Sequence, residues 1–169
     1  MSVKGLEDLY DYSYWANKRL FQVLAQLTPE QFIEPVAGSN RSIRNTMVHV
    51  LSTEWGWLDR CGGPQRGARL DPDEYPTAES VIKAFNQVES YVREFLRKLK
   101  DEDLARMVEY PADRGEKRSM PLGELLQHTA NHSVHHRGQV ALLLRMLGHA
   151  PGYFDMLIYY AEKRGVPAW

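Results

Sequence analysis

The chain has 169 residues, of which 43% are hydrophobic and 25% charged, as expected for a globular protein with a single domain over residues 1–169. Its 21 Lys and Arg residues nearly balance its 22 Asp and Glu residues, which excludes a general attraction to nucleic acid or to an anionic membrane. There is no signal-peptide pattern or membrane-length apolar run, and the single cysteine, Cys61, cannot form an internal disulfide. We therefore expect a cytoplasmic protein with no nucleic-acid or membrane partner.

Helical periodicity dominates the chain. Apolar residues recur at three- and four-residue steps over about 3–27, 42–61, 78–99 and 121–147. Ser42 and Thr77 are the predicted N-caps of the second and third helices, and Gly148 is the predicted end of the fourth. Four long amphipathic helices in one small chain predict an all-α fold, a four-helix bundle.

Shorter elements are predicted between and after these helices. The stretch TPEQF at 28–32 is typical of a short helical turn, and residues 153–163 predict a short C-terminal helix. Residues 106–120 hold a Pro/Asp/Gly turn between two extended pieces, which favours a small hairpin before helix four.

The fourth helix carries four of the six histidines, in the stretch from His128 to His136. His132 and His136 are four residues apart and therefore stack on one helix face, in the same seam as Leu125 and Leu143. Two imidazoles in an apolar seam must have their ring nitrogens satisfied. Either they are hydrogen-bonded core histidines, or they bind a divalent cation together.

A third ligand would have to come from another helix. His149 lies beyond the predicted helix end, whereas His49 lies mid-helix, at the edge of the apolar stripe of helix two, which permits an inward position without requiring it. Acidic ligands are less favoured: no Glu-x-x-His or His-Glu-x-x-His motif is present, and we interpret Glu54 as structural rather than as a partner of the ligands.

The three residues that follow the histidine pair have predictable positions on the helix. Arg137 should point away from the pair, toward another helix or solvent. Gly138 should allow a neighbouring helix to approach closely. Gln139 returns to the histidine face and could hold a ligand nitrogen or a water. Cys61 and the aromatic residues of helix one are interpreted as structural rather than as a nucleophile or a pocket wall.

The chain resembles the DinB family of four-helix-bundle proteins. The likeness rests on four stretches in the family's order: YWANKRL (14–20), SIRNTMVHVLSTEWGWL (42–58), LLQHTANHSVHHRGQVALLLRMLG (125–148) and APGYFDML (150–157). The resemblance implies an up-down-down-up bundle, with residues 62–76 as the long crossover between helices two and three. It also implies a divalent metal, typically nickel or zinc, held by His49, His132 and His136.

The resemblance further implies a homodimer and a small-molecule substrate. Its superfamily includes transferases that use low-molecular-weight thiols such as bacillithiol or mycothiol, so a metal-dependent thiol S-transferase is the first hypothesis. The alternatives are a metal-dependent hydrolase and a non-catalytic, metal-stabilised scaffold or sensor. In the last case His128 or His135 could supply a fourth ligand and close the site.

Overall fold

The computed structural model describes residues 1–39, 41–112 and 115–168. The helices are α1 (Val3–Leu24), α2 (Pro29–Ile33), α3 (Ile43–Arg60), α4 (Ala78–Arg97), α5 (Leu122–Met146) and α6 (Met156–Arg164), with short 3-10 turns at Pro72–Glu74 and Asp101–Ala105. Strands β1 (Met107–Pro111) and β2 (Lys117–Pro121) form an antiparallel hairpin. The predicted helical bundle, C-terminal helix and hairpin are confirmed. Asp113 and Arg114, in the predicted turn, lie outside the described residues. One domain over residues 1–169 stays a prediction.

The predicted helix ends have the expected local causes. The Ser42 hydroxyl accepts the backbone N–H of Asn45 at 3.0 Å, and the Thr77 hydroxyl accepts that of Ser80 at 3.1 Å. Both contacts satisfy a donor that the first helical turn leaves unpaired. After α5, Gly148 has a φ of 84°, a conformation that glycine adopts without strain and that ends the helix.

Helices α1 and α5 are parallel neighbours. The Tyr10 hydroxyl donates to the carbonyl oxygen of Leu126 at 3.0 Å, near the start of both helices. Further along both, Arg137 donates to the side-chain oxygen of Asn17 at 2.6 Å. Early residues therefore meet early residues, which requires that the two helices run in the same direction.

Helices α3 and α4 run in the opposite direction. α3 packs against α5, α4 packs against α1, and α3 and α4 pack against each other. The contacts that set their directions pair early with late residues: His49 with His136, Trp57 with His128, Asp11 with Arg93, and Phe21 with Phe85. The bundle therefore has the up-down-down-up order that the family resemblance implied.

The crossover between α3 and α4, residues 61–77, returns along the length of α3. Arg66 anchors it, since its side chain donates to the carbonyl oxygen of Ser52 at 2.6 Å and its backbone N–H donates to Asp59 at 3.1 Å. This anchoring places the following residues beside the middle of α3, where His49 lies.

Among the described residues, no helix combines the length and apolarity that crossing a membrane would require.

Candidate metal centre

Three histidines from two helices converge inside the bundle. α3 supplies His49, and α5 supplies His132 and His136 from successive turns of one face. Each offers a ring nitrogen, and these nitrogens all lie within 4.8 Å of one another. The Nε2 atoms of His132 and His136 are 3.1 Å apart. Two imidazoles on one ion with bonds of about 2.1 Å have nitrogens about 3.0–3.4 Å apart, so the donor set fits a divalent cation.

Gln139 determines which nitrogen of His136 faces the other histidines. Its side-chain oxygen accepts a hydrogen bond from Arg41 at 2.9 Å and lies 2.8 Å from Nδ1 of His136. Arginine can only donate, so the shared atom is the amide oxygen and Nδ1 must carry the proton. Nε2 of His136 therefore presents its lone pair to the site, as a metal ligand must.

The environment keeps the three imidazoles neutral. Burial, together with the charges of the neighbouring histidines, lowers the pKa of His132 to about 4. Burial is also the main cause of the lowered pKa of His49, with His136, Arg69 and Arg41 adding to it. Burial lowers the pKa of His136 as well. Because only a neutral imidazole binds a metal ion, the site is ready for one at neutral pH.

A buried polar cluster lies in the core next to the histidines. The Tyr14 hydroxyl donates to one carboxylate oxygen of Glu54 at 2.7 Å, and Ser133, next to His132, reaches the other at 3.5 Å. Burial raises the pKa of Glu54. These contacts link α1, α3 and α5, which agrees with the structural interpretation of Glu54.

Arg137 belongs to the same core and meets another helix, which was one of its two predicted positions. It is only 3% exposed, and its guanidinium donates to the side-chain oxygen of Asn17 and to the carbonyl oxygen of Ser13.

The prediction for Gly138 was wrong within this chain: a β-carbon there would meet nothing within 4 Å. Gly138 is exposed because Arg137 and the histidines take the inward faces of α5 at this level.

The remaining histidines lie around the site or away from it. His128 is exposed and packs edge-on against Trp57. His135 is exposed and accepts a hydrogen bond from the Gln139 amide nitrogen at 3.0 Å. His149 follows the end of α5 and is absent from the converging group. Cys61 is buried, and burial raises the pKa of its thiol to about 11, which agrees with a structural role.

Two arginines near the histidines were not singled out by the sequence analysis. Arg41 precedes α3 and reaches Gln139, and Arg69 lies in the crossover beside His49. Neither belongs to a helical pattern, so periodicity carries no signal for them.

Comparison with known proteins decides the family. A sequence model of the DinB family matches residues 1–165. The chain belongs to the DinB family. It is 26% identical to protein DinB of Bacillus subtilis strain 168 over 156 residues, which cover 89% of this chain and 91% of that protein. It is 25% identical to the uncharacterized protein YizA of the same strain, covering 84% and 87%.

Solved structures share the fold of this DinB-family chain. A DinB-like protein from Bacillus cereus ATCC 10987 has a TM-score of 0.73 at 21% identity, covering 90% of this chain and 97% of that one. The colibactin self-resistance protein ClbS, solved in complex with double-stranded DNA, has a TM-score of 0.58 at 13% identity, covering 85% and 96%. At these identities the likeness extends to the fold alone. The absence of a nucleic-acid partner for this chain therefore stays a prediction.

Proposed function

We propose that this DinB-family protein is a metal-dependent enzyme that transfers a low-molecular-weight thiol to an electrophilic substrate. It binds one divalent ion, nickel or zinc, through His49, His132 and His136. The observation that carries this proposal is the convergence of three neutral imidazoles, with the lone pair of His136 directed inward by Gln139.

The donor set suits catalysis better than a closed structural site. Three neutral ligands leave a bound ion its full charge and an open coordination position, and such an ion lowers the pKa of a thiol or a water. His128 and His135, the candidates for a fourth ligand, are exposed and lie outside the converging group. His49 also lines a cavity, so a small molecule bound there would lie beside one of the three ligands.

Thiol transfer is favoured over hydrolysis by the surroundings of the histidines. Glu54 is buried and held by Tyr14 and Ser133, so it is poorly placed to take a proton from an attacking water. Asp71, in the cavity beside His49, is engaged as the cap of a 3-10 turn. A thiol that loses its proton to solvent needs no such base. Metal-dependent hydrolysis remains the second candidate and predicts activity without added thiol.

We also propose that the protein forms a homodimer through the outer face of α5. Val134, Leu142 and Met146 are exposed there, at 37%, 58% and 48%. Gly138 lies between them with open space above it, which would allow a helix of a second chain to approach closely. Light scattering should give twice the chain mass, and Leu142→Glu should reduce it to one chain.

The proposed activity is tested on protein purified without added metal. We expect elemental analysis to find up to one divalent ion per chain. We also expect conjugation of a small thiol to an electrophile such as monobromobimane to exceed the uncatalysed rate. Chelation should abolish the excess, and nickel or zinc should restore it. His136→Ala should lack it, whereas His149→Ala should retain it.

Two other results would count against thiol transfer as the function. Equal rates for the wild type and His136→Ala across several thiols and electrophiles would rule out thiol transfer by this site. Metal-dependent cleavage of ester or amide substrates without thiol would favour the hydrolase.

A further inference from the structure

The cavity beside His49 has walls from two parts of the chain. It measures about 290 Å³. Asn45, His49 and Ser52 of α3 line one side, and Arg69 and Asp71 of the crossover line the other. The crossover is therefore more than a connection, because it brings charged side chains to a cavity that contains one of the three converging histidines.

Two arginines at or near this cavity lie outside the salt bridges of the described residues. Arg69 forms none of the salt bridges found among the described residues, and neither does Arg41, whose partner is the neutral amide of Gln139. Arg69 lines the cavity itself, and Arg41 lies near the histidines, because it binds the Gln139 oxygen that is 2.8 Å from Nδ1 of His136.

The other arginines near the crossover are engaged in the fold. Arg44 pairs with Asp73 at 2.9 Å. Arg66 donates to the backbone and hydroxyl oxygens of Ser52 at 2.6 and 2.7 Å. Arg69 and Arg41 differ from them because neither forms a salt bridge with another described residue.

Asp71 is the one acidic residue that lines the cavity in the described structure. Its side chain accepts the backbone N–H of Asp73 at 3.0 Å and caps the 3-10 turn that follows. One carboxylate engaged in a turn leaves an excess of positive charge from Arg69 and Arg41. An anion that enters the cavity would gain a charge-assisted hydrogen bond with arginine.

We infer that this cavity is an anion-binding subsite, in which Arg69, aided by the nearby Arg41, binds a carboxylate of a small-molecule substrate beside His49, one of the three converging histidines. That the bound molecule is also the reacting substrate rests on the proposed function, whereas anion binding itself does not. A volume of about 290 Å³ fits a small dicarboxylic acid, not the extended backbone of a nucleic acid.

The test measures binding rather than turnover. Succinate is titrated by calorimetry at low salt into the full chain, both metal-free and zinc-loaded, and 2-mercaptoethanol and mercaptosuccinate are titrated into the zinc-loaded form. Arg69→Gln should weaken succinate binding to the metal-free protein roughly tenfold, the scale of one hydrogen bond to a charged group. In the zinc-loaded protein, Arg69→Gln should weaken the binding of mercaptosuccinate but leave the affinity for 2-mercaptoethanol unchanged.

Two variants serve as controls. Arg97→Gln removes an exposed arginine near the far end of α4 and should change none of the affinities. Asp71→Asn removes the one negative charge of the cavity but keeps a good cap for the turn, so it should tighten succinate binding.

The outcomes separate this inference from the proposed function. Arg69-dependent succinate binding without thiol transfer would support the subsite while the transferase proposal fails. The subsite is wrong if wild type does not bind succinate, or if Arg69→Gln binds it as tightly as wild type does. It is also wrong if a DNA duplex binds through Arg69 while succinate neither binds nor competes.

Discussion

The side-chain oxygen of Gln139 lies 2.8 Å from Nδ1 of His136, and the same oxygen accepts a hydrogen bond from Arg41 at 2.9 Å. The arginine sets the orientation of the amide, and the amide sets the tautomer of the imidazole. A residue that precedes α3 thus determines which nitrogen α5 presents to the site.

Gln139 should therefore control metal affinity without contacting the ion. Gln139→Leu removes the acceptor for Nδ1–H of His136, and we expect it to weaken zinc binding about 10- to 100-fold. Gln139→Glu keeps an acceptor and should retain most of the affinity. Competition with a chromophoric chelator measures both. Equal affinities for Gln139→Leu and wild type would show that the contact does not orient the ligand.

Alanine substitution of each histidine separates the converging group from its neighbours. His49→Ala, His132→Ala and His136→Ala should each lose most of their bound metal, because two imidazoles hold a divalent ion far more weakly than three. His128→Ala, His135→Ala and His149→Ala should retain it. Elemental analysis gives the metal content, and circular dichroism shows that each variant has folded. Metal loss in a folded His128→Ala or His135→Ala would mean that the ligand set is wrongly assigned.

Arg137 should contribute strongly to stability. Arg137→Ala leaves the side-chain oxygen of Asn17 and the carbonyl oxygen of Ser13 without this donor in the core, and it empties the space of the side chain. We expect a loss of about 2–4 kcal/mol in the free energy of unfolding, measured in urea. Arg97→Ala, at an exposed position, should change it by less than about 0.5 kcal/mol. Similar midpoints for the two variants would contradict the assigned role.

Glu54 should make stability depend on pH. Because burial raises its pKa above 4.5 in the folded state, the folded protein binds this proton more tightly than the unfolded chain does. Its contribution to stability therefore falls as pH rises from 4.5 to the raised folded value. Glu54→Gln cannot ionise and should lack this slope. Urea unfolding of both metal-free proteins across this range should show wild type losing stability relative to Glu54→Gln. If the difference in unfolding free energy between the two proteins did not change with pH, the pKa of Glu54 would not be elevated.

Local sequence patterns are enough to predict the helices and two of the three converging histidines. Ser42, Thr77 and Gly148 mark helix ends through local hydrogen bonds and backbone conformation, which do not depend on the rest of the fold. His132 and His136 stack for an equally local reason, since residues four apart share a helix face. Periodicity also put Gln139 on that face, although not the atom it would present.

The rest of the site depends on how the helices and loops pack together. His49 lies at the edge of its helix stripe, and whether it faces His132 and His136 depends on the packing of α3 against antiparallel α5. Arg41 and Arg69 lie outside the bundle helices, so no periodic pattern indicates them. They reach the histidines because the loop before α3 approaches Gln139 and the crossover returns along α3. Local patterns cannot specify such contacts between distant segments, because these contacts exist only once the helices have packed.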